Sequence, residues 1–155
     1  MNQHDPAPLD AQALDEQNNL VSLHQFLGKW IVVYFYPKDD TPGCTTQACA
    51  FRDASTELSR LGAIVVGVSA DDQTSHRKFK EKHQLPFPLW TDASGEFRKA
   101  FEVGSLFNTP SRTSFLIDPS GTIVKIWSPA KPESNAVEVI ATIEQAQFAT
   151  PSSSS

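Results

Sequence analysis

Cys44 and Cys49 are the only thiols in a chain of 155 residues, and they stand five positions apart. Cys44 follows Pro42-Gly43 directly, at the first turn of a predicted helix. Unpaired backbone N–H groups and the positive end of the helix dipole lie at such a turn, so an anionic sulfur is favoured there. The same donors can hold an incoming polar oxygen, which suits the position to nucleophilic attack. In an intact helix, five positions give about 7.5 Å of rise and about 140° of rotation, which places the two Cα atoms roughly 8.7 Å apart. A disulfide tolerates at most about 7 Å. If these two thiols react with each other, the first turns of the helix must unwind. Two other readings stay open on spacing alone. The pair can be small buried hydrophobes, or, more weakly, part of a zinc site. Zinc asks for four closely spaced ligands, and His4, His24, His76 and His83 supply no second cluster. All four histidines are expected to be solvated or capping residues.

The elements around the cysteines follow from periodicity. Trp30 to Tyr36 (WIVVYFY) is a continuous aromatic and β-branched run, the pattern of a strand buried on both faces, and it stops at Pro37-Lys-Asp-Asp-Thr-Pro-Gly43. From Cys44 to Leu61 there is no Pro or Gly, and Cys44, Ala48, Phe51, Ser55 and Leu58 recur three or four apart, which predicts a helix with one inward stripe. Ala63 to Ser69 (AIVVGVS) predicts a second buried strand, with Asp71 or Asp72 capping a helix to about His83. Leu85 to Trp90, interrupted by prolines, reads as at most a small edge strand. A brief helix carries Phe97 and Phe101, capped from Asp92, Ala93 or Ser94. Thr113 to Asp118 and Thr122 to Trp127 flank Pro119-Ser-Gly121 as a hairpin, and a last helix, about Glu133 to Ala146, turns Val137, Ile140 and Ile143 to one side.

Two strand–helix–strand crossovers require parallel pairing, and the hairpin adds antiparallel strands. The expected fold class is therefore α/β, a mixed central sheet with helices on both faces. In such sheets ligands collect at the carboxyl ends of the parallel strands, which is where Cys44 falls. Residues 1–15 and 149–155 read as loose ends around one domain over 16–148.

Composition narrows the function classes. Hydrophobic residues make up 39% of the chain and include ten Phe and three Trp, enough to build one core. The formal net charge is −5 and no run of Lys or Arg occurs, which argues against nucleic acid and against a basic membrane patch. No apolar stretch approaches the length of a membrane span, and no secretory or transit signal is visible, so the expected location is cytoplasmic. In that reducing compartment thiols are free, catalytic or metal-bound more often than permanently bridged.

The segment YFYPKDDTPGCTTQACAFRD (Tyr34 to Asp53), with its Pro37-x3-Thr41-x2-Cys44 core and Cys49, resembles the active-site segment of the peroxiredoxins, and within them the bacterioferritin comigratory protein or PrxQ subfamily. The likeness continues through VSLHQFLGKW (Val21 to Trp30), the IVVGVS strand and SRTSFLIDPSG (Ser111 to Gly121), about 125 positions in order. It implies a thioredoxin-like fold, reduction of hydrogen peroxide and organic hydroperoxides, recycling by a thioredoxin-type dithiol donor, and no metal or other cofactor. By the same resemblance Cys44 is the peroxidatic nucleophile and Cys49 the resolving thiol, joined in an intramolecular disulfide. Thr41 would hold the thiolate and orient the peroxide, Pro37 would shield the sulfur, and Arg112 would stabilise the anion. Gln47 is expected either to bond Thr41 or the loop or to be solvated, and Arg52 either to approach the site or to pair with Asp53 or Glu57. Phe107 and Trp90 read as core or as an apolar rim. An intramolecular bridge permits a monomer and does not forbid a dimer.

Two departures are visible. Ala7-Pro8 is followed by LDAQALDEQNN rather than the family's usual aromatic-containing strand, which leaves a first hairpin undecided. The segment from Glu102 to Pro110 is shorter and less basic than in many relatives, which leaves substrate preference open. Two competing readings remain. A thioredoxin-like disulfide reductase favours Cys-x2-Cys, and a non-catalytic thioredoxin-fold module leaves the joint presence of Pro37, Thr41, Cys44 and Arg112 unexplained.

Overall fold

The structure is a computed structural model that describes residues 1–106 and 109–149. The order of elements is β1 (Gln12–Leu14), β2 (Leu20–Ser22), β3 (Trp30–Phe35), α1 (Pro42–Asp53), α2 (Ser55–Arg60), β4 (Ala63–Ser69), α3 (Gln73–His83), β5 (Leu89–Thr91), α4 (Glu96–Ala100), β6 (Ser105–Leu106), β7 (Thr109–Pro110), β8 (Thr113–Ile117), β9 (Ile123–Trp127) and α5 (Asn135–Ala149). One mixed sheet of seven strands runs β2-β1-β5-β4-β3-β8-β9, and β6 pairs with β7 apart from it. As the crossovers require, β3–β4 and β4–β5 pair in parallel, and the hairpin strands β8 and β9 pair antiparallel.

The WIVVYF run lies inside the sheet, between β4 and β8, and it is apolar on both faces. Val32 and Tyr34 pack on one side with Cys44, Phe51, Phe79 and Val139. Ile31, Val33 and Phe35 pack on the other with Trp90, Phe97, Phe101 and Phe115. Fully burying side chains of this size is worth roughly 1.5–3 kcal/mol each, so β3 anchors both layers. Helices α1, α2, α3 and α5 cover the first face and α4 the second. The caps also follow the sequence. Asp72 accepts a hydrogen bond from the Ser75 amide at the start of α3, and Asp92 receives the Phe97 and Arg98 amides at α4.

Several expectations are corrected. Residues 1–15, expected to be a loose end, carry β1, which pairs with β2 as a hairpin, and a bridge between Pro6 and Thr122 ties the first residues to the β8–β9 turn. Because β1 adds outside β5, with Leu14 opposite Thr91, the short strand after the prolines is interior rather than an edge. Pro86 and Pro88 precede β5, so neither removes a donor from its ladder. The run Cys44 to Leu61 is two helices broken at Ala54, within a stretch of residues, Asp53, Ser55 and Thr56, that favour the helix interior poorly. Val137 is 67% exposed, and Ala136, Val139 and Ile143 form the buried stripe of α5. Positions 137 and 143 are about 120° apart around a helix and cannot share one face. The expected tail over 149–155 lies outside the described residues from position 150 onward. Among the described residues no helix is long and apolar enough to cross a membrane.

Candidate active site

The carboxyl end of β3 delivers the chain into the Pro37–Thr41 loop, and Thr41 then stands at the N-cap of α1 with Pro42 in the first turn. No acidic residue occupies that first turn, so nothing offsets the positive end of the helix dipole where Cys44 sits. Cys44 is 1% exposed, and both cysteines are free thiols. Gly43, Thr45 and Thr46 are poor helix formers, so the turn that carries Cys44 is weak by composition, and Thr46 spends its hydroxyl on the Pro42 carbonyl at 3.0 Å.

Sheet register supplies the cation. Phe35 pairs with Thr113 across β3 and β8, which places Arg112 beside the start of the loop. Its guanidinium lies so close to Gly43 that a Cβ at that position would sit 2.9 Å from Arg112 Nη2, so any larger residue there would have to push the guanidinium aside. Arg112 Nη1 donates to Gln47 Oε1 at 3.0 Å, and Gln47 Nε2 donates to Asn135 Oδ1 at 3.2 Å. Ser114 donates its hydroxyl to the same Asn135 oxygen at 2.6 Å. A buried chain from β8 through α5 and α1 thus fixes the guanidinium next to the first turn. Gln47, fully buried, bonds this chain rather than Thr41 or the loop. The Thr41 hydroxyl donates to the Lys38 carbonyl at 2.9 Å, and Pro37 is half-buried at the head of the loop. Trp90 is 1% exposed in the core on the opposite face, so it lines no rim, and Phe107 lies outside the described residues. Burial pushes the Tyr34 hydroxyl well above its ordinary value, and nearby Cys44 adds to that shift.

The AhpC/TSA family pattern matches residues 4–126. Peroxiredoxin Bcp of Bacillus subtilis is 41% identical over 142 residues, covering 87% of this chain and 90% of the relative. Among solved structures, peroxidoxin BcpB of Mycobacterium tuberculosis superposes with a TM-score of 0.87 at 30% identity, covering 94% of this chain and 97% of its own. The Xanthomonas campestris bacterioferritin comigratory protein, in structures concerned with its alkyl peroxide reduction, superposes with a TM-score of 0.81 at 32% identity, over 89% of this chain and 92% of its own. The chain belongs to the AhpC/TSA family. It is a peroxiredoxin of the Bcp/PrxQ type, a thiol peroxidase with a thioredoxin-like fold and a peroxide substrate.

In this peroxiredoxin the residues singled out in the sequence fall into two groups. Arg112 and Gln47 gather at the first turn that carries Cys44. Cys49, one and a half turns further on, faces α3, where its sulfur lies 3.9 Å from His83 Nδ1. Two histidines expected to be solvated or capping are not. His76 is fully buried, with Nδ1 2.7 Å from Asp39 Oδ2 and Nε2 3.0 Å from the Trp90 carbonyl. Both ring nitrogens thus lie within hydrogen-bond reach of oxygen atoms, which fixes the ring in place. Tyr36 and Ser75 also donate their hydroxyls to Asp39, and the Asp39 amide donates to Asp71. The signal was present in the sequence: His76 and His83 stand seven apart on one face of α3, opposite the adjacent Asp39 and Asp40 of the loop. Asn135 and Ser114 carried no comparable signal.

Proposed function

We propose that Cys44 attacks the terminal oxygen of a hydroperoxide and becomes a sulfenic acid, which Cys49 resolves as an intramolecular disulfide. The observation that carries the first step is the convergence on one turn of Cys44, an unopposed helix N-terminus and the Arg112 guanidinium against Gly43. Arg112 donates to the sulfur or to the oxygen on which charge develops. Thr41 orients the peroxide by turning its hydroxyl from the Lys38 carbonyl, and Pro37 screens the sulfur from bulk water. The second step takes support from α1, which holds both cysteines about 8.7 Å apart while helical and begins with a weak turn. Opening that turn breaks the Gln47 bonds to Arg112 and Asn135 and lets the sulfurs meet. The alkyl peroxide activity named for the Xanthomonas campestris relative supports organic hydroperoxides as substrates beside hydrogen peroxide. A thioredoxin-type dithiol in the cytoplasm then reduces the disulfide, and because both sulfurs belong to one helix the cycle needs no second subunit.

Peroxide consumption coupled to NADPH, thioredoxin reductase and thioredoxin tests the assignment. Cys44→Ser is expected to be inactive, and Cys49→Ser to complete one turnover and hold a trappable sulfenic acid. Full turnover by Cys44→Ser would refute the mechanism.

A further inference from the structure

Cys49 does not face solvent alone. Its sulfur lies 3.9 Å from His83 Nδ1, within reach of an S–H donor, and His83 Nε2 lies 3.4 Å from Asp40 Oδ1. Asp40 is acceptor-only when ionised, so in the tautomer that donates to it from Nε2 the Nδ1 lone pair faces Cys49. The second carboxylate oxygen of Asp40 takes a hydrogen bond from Lys82 Nζ at 2.8 Å. Lys82 and His83 hold the Asp40 carboxyl below the usual carboxylate range, which keeps it an anion. Two more contacts fix the residue, one on its ring and one on its backbone. Phe79 meets it edge-on at 5.3 Å between centroids, and Arg52 Nη1 donates to the His83 carbonyl at 2.9 Å. Arg52 is held above its ordinary value first by its hydrogen bond to Asp53 and then by the Cys49 sulfur, so its charge also bears on that thiol. The groups facing His83 are therefore Cys49 and Arg52 from α1, Asp40 from the loop and Lys82 from α3. Cys49, His83 and Asp40 are strung in line. Among the described residues no group of three or more such side chains is placed to hold a metal ion.

We propose that His83, oriented by Asp40, is the proton acceptor that activates Cys49 for the resolving step. The proposal rests on the reading of Cys49 as the resolving thiol. While α1 is still helical, the Cys49 S–H proton passes to His83 Nδ1. When the first turns open, the electron pair of the thiolate forms the bond to the Cys44 sulfur and the S–O bond of the sulfenic acid breaks. The departing hydroxide takes a proton from solvent and leaves as water, and His83 returns its proton to solvent. The Cys44 sulfur is reduced and the Cys49 sulfur oxidised, so no further electron carrier enters. Asp40 acts through His83 as a positioning residue, and it lies in the same loop as Pro37 and Thr41.

Disulfide formation after one equivalent of hydrogen peroxide, followed by rapid quench with free-thiol counting and sulfenic-acid trapping between pH 6 and 9, tests the proposal. His83→Gln is expected to take up the first equivalent of peroxide at the wild-type rate. It should form the disulfide about tenfold more slowly at pH 7 and accumulate trappable sulfenic acid, with the deficit shrinking toward pH 9 as bulk hydroxide takes the proton. Added imidazole should restore part of the rate, and Asp40→Asn should show a smaller slowing with the same pH shape. Wild-type disulfide formation in His83→Gln across this range, or a slowing equal at every pH and untouched by imidazole, would overturn it. Failure of the underlying reading has a different signature: wild-type enzyme that keeps two free thiols after peroxide, or Cys49→Ser that cycles at the wild-type rate.

Discussion

Two histidines of one helix hold two adjacent aspartates of one loop, in opposite environments. His76 and Asp39 are both buried, 2.7 Å apart, with Tyr36, Ser75 and the Trp90 carbonyl completing their hydrogen bonds. His83 and Asp40 lie seven and one residues further along, 3.4 Å apart, with Asp40 in contact with solvent and Lys82. The buried pair is closed in by hydrogen bonds on every side, so removing one partner leaves the other a buried polar group short of a partner. The partly exposed pair is looser and borders a thiol, so it can exchange a proton with little disturbance to the fold. One helix thus both clamps the loop and, as proposed above, serves the resolving thiol.

That contrast can be broken at either end. The largest effect is expected from His76→Leu, which strands Asp39 and should lower stability by about 3–5 kcal/mol in urea unfolding, far more than His83→Gln. Equal losses in the two variants would erase the distinction. Next is Arg112→Ala, expected to slow the first peroxide equivalent about 10²–10³-fold in stopped flow, the range for removing a donor aimed at developing charge. Gln47→Ala should give a smaller loss in the same step, because it frees Arg112 without removing it, and a wild-type rate in both variants would detach Arg112 from the chemistry. The smallest effect concerns Asp40. Its carboxyl is held below the ordinary value by Lys82 and His83, so the stabilisation it confers is present above that value and is lost as pH falls through the lowered one. Unfolding midpoints of Asp40→Asn and the parent should differ slightly near neutrality and converge as acid titrates the Asp40 carboxyl, below its ordinary value. A difference that grows on acidification would contradict the assignment.

What was legible in the sequence was local. The both-face apolar run of β3 and the glycine turn of the β8–β9 hairpin write their own signals. Contacts that join distant segments were not legible. Nothing in Asn135 or Ser114 announces that they steer Gln47 toward Arg112, because that depends on α5 crossing the end of β8. The sequence marks His76 only as a solvated or capping residue, and the tertiary placement of α3 against the loop buries it. The N-terminal hairpin was undecided because Gln12–Leu14 has little strand character of its own and is held by pairing with β2 and β5.

The weak first turn of α1 has a further consequence for how the enzyme wears out. A sulfenic acid on Cys44 has two fates: condensation with Cys49, or attack on a second peroxide to give sulfinic acid, which a dithiol donor does not reverse. The first fate waits on the helix opening and does not depend on peroxide, whereas the second rises in proportion to it. In the proposed cycle Gly43, Thr45 and Thr46 would therefore set a ceiling, the peroxide concentration above which the enzyme inactivates itself faster than it closes its own disulfide.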